Sequence, residues 1–437
     1  MLDRKPGLEV RLNAHPCFCK RVESLLNIIE DTHGNADTAD AAEQLVIEEL
    51  RNMGNETLVD WATSKEKEKS KELQEYEPSV MGHGEKKVWW HTTYGKVAIY
   101  ETLFLWGKTT IRPFCWSADV TTRGYSIPLQ RRITDFGADN AFGKISDKLE
   151  EHYGIRIPTS SSQAITEKHA ETIKENIHLQ TEISDQKGVN YMIIETDGCM
   201  VPIVETSKKI EEGKPVDRRK TRSVFWKEAR LSLAHSNGSL SPVFGGIMGS
   251  PDEVGDQLMD CAVRSGVGQQ TNVHGVGDGA TWIHDQVDRV FGSQGNYLID
   301  FHHLCDYLAP ASEACAADAP KAWLEKQKKR VLESQLDDVL QSLKSNLESK
   351  EIKDEYAPVR RCYRYIMNRP GQFDYKGAID NDLPIGSGEI ESAHRYVIQN
   401  RLKLAGSWWL KNNANNMLFL RTLRANNDWE EYWNNAA

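Results

Sequence analysis

The sequence predicts an α+β multidomain protein whose core is a sheet organised around GVNYMIIETDGCMVPIV, residues 188–204. The apolar run Tyr191–Ile194 needs no polar alternation if both faces of its strand are covered, which is typical of a central strand. Strand and helix patterns then alternate as far as residue 308, and a long stretch of helical periodicity follows. We therefore expect a covered sheet with an α-helical insertion, preceded by a helical and small-β N-terminal region.

The composition is that of an ordinary globular protein. The chain has 437 residues, 39% of them hydrophobic, and a mean hydropathy of -0.57. No apolar stretch approaches the roughly 18 residues of a membrane span, and MLDRKPGLEV lacks the core of a signal peptide, so we expect a cytoplasmic protein with no membrane partner. Eight cysteines without a CxxC pair fit a reducing compartment. The net charge of -10 argues against broad nucleic-acid affinity, although local basic clusters still permit DNA binding.

The N-terminal third divides into three predicted regions. Residues 1–80 are expected to be helical, and residues 88–130 are rich in Val, Ile, Thr and aromatic side chains, which predicts a small β module. Residues 134–180 contain two helical patterns separated by Gly154, the second capped by Thr and Ser. This is the outline of a helix-turn-helix and predicts DNA binding, although any helical hairpin has the same outline.

The sheet is predicted from five strand patterns in residues 188–308. Asp197 is expected at the end of the first strand, where Gly198 turns the chain into a second strand, Val201–Val204. SVFWKEARLSLA is expected to be the third strand, Val273–Val276 the fourth and YLID, residues 297–300, the fifth. The order β, β, β, α, β, α, β is the ribonuclease H-like order. It assigns residues 188–308 and 381–437 to the core and residues 309–380 to the helical insertion.

Three carboxylates are expected at one end of this sheet. Asp197 and Asp278 each follow a strand, with Asp300 at the end of the fifth strand as the alternative to Asp278. Glu389 and Glu391 lie about 200° apart on the helix after DLPIGSG, so one of them faces the sheet, and we choose Glu391. Oxygen ligands suit Mg²⁺ or Mn²⁺, and two such ions clamp a phosphodiester, one activating the attacking hydroxyl and the other stabilising the departing 3′ oxygen.

Basic and aromatic residues are expected to contact DNA. The predicted contacts are Arg218, Arg219, Lys220, Arg222, Arg395, Arg401, Lys403, Trp408 and Trp409. The tryptophan pair suits either stacking on an unpaired base or packing of the C-terminal helix. His302, His303 and Cys305 suggest zinc, but no second ligand pair lies at zinc spacing, so structural histidines or a phosphate contact by His303 are the other interpretations.

Four blocks carry a family resemblance. ETDG, GDGATWI, YLIDFHHLCDYL and LPIGSGEIESAHRYVIQNRLKLAGSWW resemble, in this order, the DDE transposases of bacterial insertion sequences, in particular the ISKra-type family and more distantly the Mutator-like group. The resemblance covers roughly residues 88–433 and implies that Asp197, Asp278 and Glu391 are the catalytic, metal-binding triad and that His303 is a further catalytic residue.

The resemblance also implies partners and alternatives. A transposase of this kind cleaves DNA at terminal inverted repeats, joins the 3′ hydroxyl to target DNA and acts as a homodimer on DNA, so a bacterial, nucleoid-associated location is expected. A domesticated, inactive relative that binds DNA as a regulator, and a plain metal-dependent nuclease, are the alternatives. The N-terminal third lacks the cysteine pairs of a zinc ribbon, which leaves the recognition of transposon ends open.

Overall fold

The computed structural model describes residues 7–30, 37–121, 123–206 and 222–436. The chain divides into two compact units, an N-terminal unit that extends to Thr166 and a C-terminal unit from Glu167 to Asn435. Within the described ranges, no helix combines the length and the hydrophobicity needed to cross a lipid bilayer.

The N-terminal unit combines a long helix with a small antiparallel sheet. Its helices are α1 (Leu8–Asn13), α2 (Pro16–Ile29), α3 (Ala39–Tyr76), α4 (Pro113–Ser117), α5 (Ile127–Asp139) and α6 (Phe142–Tyr153). Its strands are β1 (Met81–Thr92), β2 (Gly95–Trp106) and β3 (Thr109–Ile111). In the described part of this unit the strands form one sheet in the order β1-β2-β3, which begins before residue 88 and ends at Ile111, whereas residues 88–130 were predicted as the β module.

Apolar residues of one sheet face pack against helices α3 and α4. Val88, Val97 and Ile99 are buried together with Phe114. The buried carboxylate of Glu101 accepts hydrogen bonds from the backbone N–H of Cys115 at 2.8 Å and from Arg112 Nε at 2.9 Å. A buried carboxylate is tolerated only when it is paired, and this pairing fastens α4 to β2.

The predicted pair of helices separated by Gly154 is also present. Helix α6 ends at Gly154, whose φ of 67° lies in the left-handed region, and α7 (Thr159–Asn176) follows. Ile145 and Leu149 of α6 pack against Leu129 and Ile133 of α5 in a separate apolar cluster. The boundary between the two units falls within α7. DNA contact by these helices stays a prediction.

The C-terminal unit contains the large sheet. Its strands are β4 (Tyr191–Thr206), β5 (Arg222–Ser236), β6 (Val243–Ile247), β7 (Asn272–Gly277) and β8 (Gly295–Ile299). Among the described residues of this unit they form one sheet in the order β6-β5-β4-β7-β8. Strands β4, β5 and β6 are mutually antiparallel, whereas β7 and β8 run parallel to β4. The central strand is therefore β4, as predicted from its apolar run.

The predicted hairpin at Gly198 is wrong. Gly198 pairs with Arg230 and Pro202 pairs with Trp226 in an unbroken antiparallel ladder, so the predicted second strand is the second half of β4. The chain reaches β5 only after residues 207–221, which lie outside the described residues. The predicted third strand is β5, and the actual third strand, β6, was not predicted.

Helices cover both faces of the sheet. They are α8 (Pro251–Arg264), α9 (Thr281–Phe291), α10 (Phe301–Cys315), α11 (Pro320–Leu332), α12 (Leu336–Lys344), α13 (Pro358–Met367), α14 (Tyr375–Asp380), α15 (Gly388–Ala393), α16 (Asn400–Leu402), α17 (Lys411–Ala425) and α18 (Trp429–Asn435). A π-helix, His394–Gln399, joins α15 to α16, and short 3-10 turns occupy Gly292–Gln294 and Asp354–Tyr356.

The stretch 309–380 is helical, as its periodicity predicts. Its apolar side chains, such as Val331, Leu343 and Val359, belong to the same buried cluster as Met192 and Ile194 of the central strand. The helical stretch therefore shares one apolar core with the sheet. Its Tyr365 also contacts Asp278 at the edge of the sheet.

Candidate active site

A small pocket of about 110 Å³ lies at the carboxyl ends of the parallel strands. Ligands of open α/β sheets commonly bind at this edge. The pocket is lined by Thr196, Asp197, Gly277, Asp278, Asp300, His302, His303, Asp306, Ser387, Ile390 and Glu391. All three predicted triad carboxylates, the alternative ligand Asp300 and the predicted catalytic residue His303 are therefore in one pocket.

Strand register explains why these acids meet. Glu195 of β4 pairs with Val276 of β7, so continuing the parallel register by two residues brings Asp197 level with Asp278. Gly277 pairs with Ile299 of β8, which brings Asp278 level with Asp300. One row of three carboxylates thus crosses adjacent strands. Asp197 differs from the prediction in lying within a continuous strand, beyond the point where its neighbour β7 ends.

Asp197 is held beside other negative charges. Its Oδ1 accepts a hydrogen bond from the N–H of Gly198 at 2.7 Å. A Cβ at position 198 would lie 2.1 Å from a carboxylate oxygen of Glu228, so a side chain there would force the Glu228 carboxylate to move. Burial raises the pKa of Asp197 to about 6, with further contributions from the negative charges of Asp278, Glu228 and Glu391.

The turn that carries Asp278 is fixed by its backbone. The Oδ1 of Asp278 accepts from the N–H of Ala280 at 2.7 Å, and its carbonyl accepts from the hydroxyl of Tyr365 at 2.8 Å. Gly279 has a φ of 83° and donates its N–H to the Tyr297 hydroxyl at 3.0 Å. A side chain at Gly279 would meet the Tyr365 hydroxyl at 2.4 Å, so the turn depends on glycine.

Two further acids anchor the helix that carries Glu391. The buried Oε2 of Glu195 accepts from the N–H of Ile390 at 2.8 Å. Asp300 Oδ2 accepts from the N–H of Ser387 at 2.5 Å and from its hydroxyl at 2.8 Å. The first N–H groups of a helix have no partner within the helix, so the carboxyl oxygens of Glu195 and Asp300 satisfy them. The charged carboxylate of Asp300 also complements the positive end of the helix dipole.

Asp300 accepts hydrogen bonds from two helical segments, whereas Asp278 accepts one from its own turn. The Oδ1 of Asp300 also caps α10 by accepting from the N–H of His303 at 2.9 Å, so both oxygens are engaged in anchoring backbone. Burial raises the pKa of Asp300, but the hydrogen bonds from Ser387 and His303 outweigh that effect and the net pKa is lowered. Asp300 is thus an anchor for two helices, which favours Asp278 as the ligand.

Glu391 rather than Glu389 faces the pocket. The carboxylate of Glu389 lies 3.0 Å from Nε2 of His235, and Glu389 lines a different pocket with Ile193 and Leu240. Glu391 is exposed and lines the pocket of the acid row. Of the two glutamates that the angular argument compares, Glu391 is the one that lines this pocket.

His394 belongs to the site and was not predicted. Its Nε2 lies 3.4 Å from Asp197 Oδ2, and its side chain is almost fully buried. Burial lowers the pKa of His394 to about 4, which leaves a neutral imidazole beside the carboxylate. The available signal was its spacing of three residues from Glu391, which brings two residues onto one side of a helix.

The remaining histidine of the prediction lies among aromatic rings. His303 lines the pocket with its ring centroid 5.8 Å from that of Tyr307 and 6.1 Å from that of Tyr365. Across the part of the chain that the structure describes, no group of three or more His, Cys, Asp or Glu side chains is arranged to hold a metal ion. Neither the residues of the zinc alternative, His302, His303 and Cys305, nor the predicted triad forms such a group.

The donor set of the pocket nevertheless fits a hard divalent cation. Asp197, Asp278 and Glu391 present oxygen atoms, the ligands that Mg²⁺ and Mn²⁺ prefer. Their mutual repulsion, visible in the raised pKa of Asp197, is a cost that a bound cation removes. Metal binding would require these side chains to rotate towards one another within the pocket.

The predicted DNA contacts comprise residues outside the described ranges, exposed residues and two buried residues. Arg218, Arg219 and Lys220 lie outside the described residues, whereas the exposed residues are Arg222, Arg395, Lys403 and Trp408. Lys403 Nζ lies 3.7 Å from the Sγ of Cys199, the second residue after Asp197. Among the predicted DNA contacts that the structure describes, Lys403 is the one with a contact this close to Asp197 in the sequence.

Arg401 and Trp409 are corrected to structural residues. Arg401 is 1% exposed, and its guanidinium lies 4.7 Å above the ring of Trp409. Trp409 is also buried, and its carbonyl accepts from the N–H of Val204 at 2.8 Å, which pairs it with the second half of β4. Because β4 continues past Gly198, its second half pairs with Trp409. This contact was not predicted from the sequence.

Comparisons with known proteins place the chain in a family. The model of the uncharacterised protein family UPF0236 matches residues 138–431, more than half of the chain. The chain is also 23% identical over 323 residues to a protein of Streptococcus gallolyticus described as "UPF0236 protein in vanSb 3'region". That match covers 71% of this chain and 66% of the relative, so the chain spans just under two thirds of the relative's length. The chain belongs to the uncharacterised protein family UPF0236.

Proposed function

We propose that this protein is a metal-dependent DDE transposase that cleaves DNA at transposon ends and joins the 3′ hydroxyl to target DNA. The observation that carries the proposal is the meeting of Asp197, Asp278 and Glu391 in one pocket from three separate elements. The strand order β6-β5-β4-β7-β8, with the first three strands antiparallel and the last two parallel to β4, supports the ribonuclease H-like core that such enzymes use.

The three carboxylates would hold two Mg²⁺ or Mn²⁺ ions. Bound there, such ions supply activation of the attacking hydroxyl and stabilisation of the departing 3′ oxygen. Without cations the acid row repels a phosphodiester, so the chemistry of the pocket itself accounts for a metal requirement. Glu195 and Asp300 contribute by fixing the helix of Glu391 against β4 and β8.

Exposed cationic residues around the sheet would bind the DNA backbone. Lys403 and Arg395 flank the Glu391 segment, and Arg222 begins β5. His303 would contact a phosphate from within the pocket. Two transposon ends must be brought together for joining, so we expect a homodimer on DNA. The terminal inverted repeats and target DNA are the proposed partners.

Strand joining tests the proposal. The substrate is labelled duplex DNA taken from both flanks of the gene, incubated with supercoiled plasmid and Mg²⁺ or Mn²⁺. We expect joined product from the intact protein and none from Asp197→Asn, Asp278→Asn or Glu391→Gln. Asp306→Asn is the matched control because Asp306 lines the same pocket and is not assigned to the triad.

The other outcomes identify the alternative functions. DNA binding without cleavage by the intact protein would contradict the proposal and favour an inactive relative that acts as a regulator. Metal-dependent cleavage without joining would favour a nuclease. Equal loss of activity in Asp306→Asn would contradict the assignment of the triad.

A further inference from the structure

The outer face of the small sheet in the N-terminal unit gathers positive charge around one aromatic ring. Lys87 Nζ lies 4.2 Å and Lys96 Nζ 4.1 Å from the ring centroid of Trp89. Lys87 also lies 5.3 Å from the ring of Tyr100, which is 59% exposed. We call these four residues, Lys87, Trp89, Lys96 and Tyr100, the lysine–aromatic face.

The strand register builds this face. Trp89 of β1 pairs with Ala98 of β2, and Lys87 pairs with Tyr100. Alternate residues point to opposite sides of a strand, so Val88 and Ile99 are buried on the inner face while the lysines are exposed on the outer one. The small side chain of Ala98 opposite Trp89 leaves room above the indole for both lysine stems.

The charge of the face is not neutralised by the protein. Among the ion pairs of the described residues, none includes Lys87 or Lys96. Glu85 is an exposed acid on the same strand face, opposite Thr102, and among the described residues it forms no ion pair with either lysine. The positive field also lowers the pKa of the neighbouring His91, although burial is the larger cause. Two ammonium groups at one ring repel each other, and an anionic partner would remove that cost.

We propose that the lysine–aromatic face binds the phosphate backbone of duplex DNA independently of base sequence. The inference rests on the proposed function, because it takes the polyanion to be the DNA on which the C-terminal unit acts. The ammonium groups occupy the ring of Trp89, so the face presents charge rather than a stacking surface for bases. Holding the lysines on the ring reduces the side-chain freedom lost on binding.

Salt dependence of DNA binding tests this proposal. Each phosphate contact contributes about 0.9 to the slope of log K against log salt for duplex DNA. Fluorescence anisotropy with a labelled random-sequence duplex would be measured on the full chain carrying Lys87→Gln and Lys96→Gln together. We expect the magnitude of this slope to fall by about 1.8, so that the loss of affinity in the variant is larger at low salt than at high salt.

Two matched variants separate the effect of losing these phosphate contacts from the effect of changing the net charge of the protein. Lys71→Gln with Lys329→Gln removes the same charge from two exposed lysines that already pair with Glu75 and Glu333, and should leave the slope unchanged. Lys87→Arg with Lys96→Arg keeps the charge and should keep most of the slope. Circular dichroism would establish that each variant is folded.

The outcomes distinguish the two proposals. An unchanged slope in the glutamine variant, or an equal fall in the Lys71 and Lys329 control, would overturn the proposal that the lysine–aromatic face binds DNA. Strand joining by the intact protein would still support the transposase. A larger effect on single-stranded than on duplex DNA would overturn the duplex assignment. Failure of the intact protein to bind any duplex would overturn both proposals.

Discussion

The two sheets of this molecule carry opposite charges at the surfaces that we assign to DNA. The large sheet ends in a row of carboxylates, Asp197, Asp278 and Asp300, whereas the small sheet carries Lys87 and Lys96 on its outer face. The backbone of DNA is attracted to the second surface and repelled by the first. Under the two proposals, the small sheet would supply affinity for DNA and the large sheet would supply the chemistry once cations are present; we call this the proposed division of labour.

The acids at the end of the large sheet also have two different roles. Asp300 and the nearby Glu195 accept hydrogen bonds from backbone N–H groups and fasten the Glu391 helix. Asp197 accepts from the N–H of Gly198 in the same strand and Asp278 accepts from the N–H of Ala280 in its own turn, and with Glu391 they line the pocket. Two acids thus serve as structural anchors so that three others can be brought together despite their repulsion.

The largest predicted effect separates chemistry from binding. Asp197→Asn combined with Glu391→Gln neutralises two of the three proposed metal ligands. This double variant should lower strand cleavage at least about 1000-fold, because the metal ligands are lost. In EDTA the same variant should bind duplex DNA a few times more tightly than the intact protein, because repulsion of the phosphates is reduced. Anisotropy in EDTA and plasmid cleavage in Mn²⁺ measure the two effects. Weaker binding by this variant would contradict the proposed division of labour.

Local patterns predicted more of the strands than of their pairing. The apolar run of β4, the acid after β7 and the helix that carries Glu391 were all predicted from short stretches of sequence. The turn at Gly198 was wrong because glycine after an aspartate is typical of a turn, whereas here Gly198 continues β4 and pairs with Arg230 of β5. That cause lies on another strand, and no local pattern contains it.

Burial explains the residues that were misjudged. Arg401 looked like a phosphate contact because arginine is usually exposed, but its guanidinium stacks on Trp409 in the interior. His394 looked unremarkable because its partner, Asp197, is nearly two hundred positions away in the sequence. Glu195 was part of the predicted strand, and its role as an anchor emerges only when Ile390 is brought to it.

The next largest effect concerns the anchor Glu195 and is a dependence of stability on pH. Burial raises the pKa of Glu195 to about 8 from the ordinary glutamate value of 4.5. Below pH 4.5 the carboxyl is protonated in both folded and unfolded states, so its contribution to stability is fully present. As the pH rises through 8 the unfolded chain has already lost the proton that the folded state retains, and stability falls by on the order of 4 kcal/mol.

Glu195→Gln should abolish that fall, because an amide does not ionise and its oxygen still accepts from the N–H of Ile390. Urea unfolding in EDTA measures the difference. We expect similar free energies of unfolding near pH 4.5 and a variant more stable than the intact protein by about 3 kcal/mol or more near pH 8. Exposed Glu182→Gln is the control for the loss of one carboxylate. Parallel pH curves for Glu195→Gln and the intact protein would contradict the assignment of Glu195 as an anchor held in its neutral form.

The smallest predicted effect concerns His394, which contacts the acid row without being one of its carboxylates. His394→Leu should weaken Mn²⁺ binding about tenfold, because groups that orient a metal ligand typically contribute 10- to 100-fold to metal affinity. The imidazole lies 3.4 Å from Asp197 Oδ2 and limits the positions open to that carboxylate. Electron paramagnetic resonance of free Mn²⁺ measures the affinity without relying on activity.

His169→Asn is the matched control for this variant. His169 is also a buried histidine of the C-terminal unit whose pKa burial lowers to about 4, but it packs against Tyr432 and Trp433 rather than against the acid row. Both variants should lower thermal stability, and only His394→Leu should change Mn²⁺ affinity. An equal loss of affinity in both would indicate that it follows from general destabilisation, and His394 would then belong with the anchors rather than with the residues that orient the pocket.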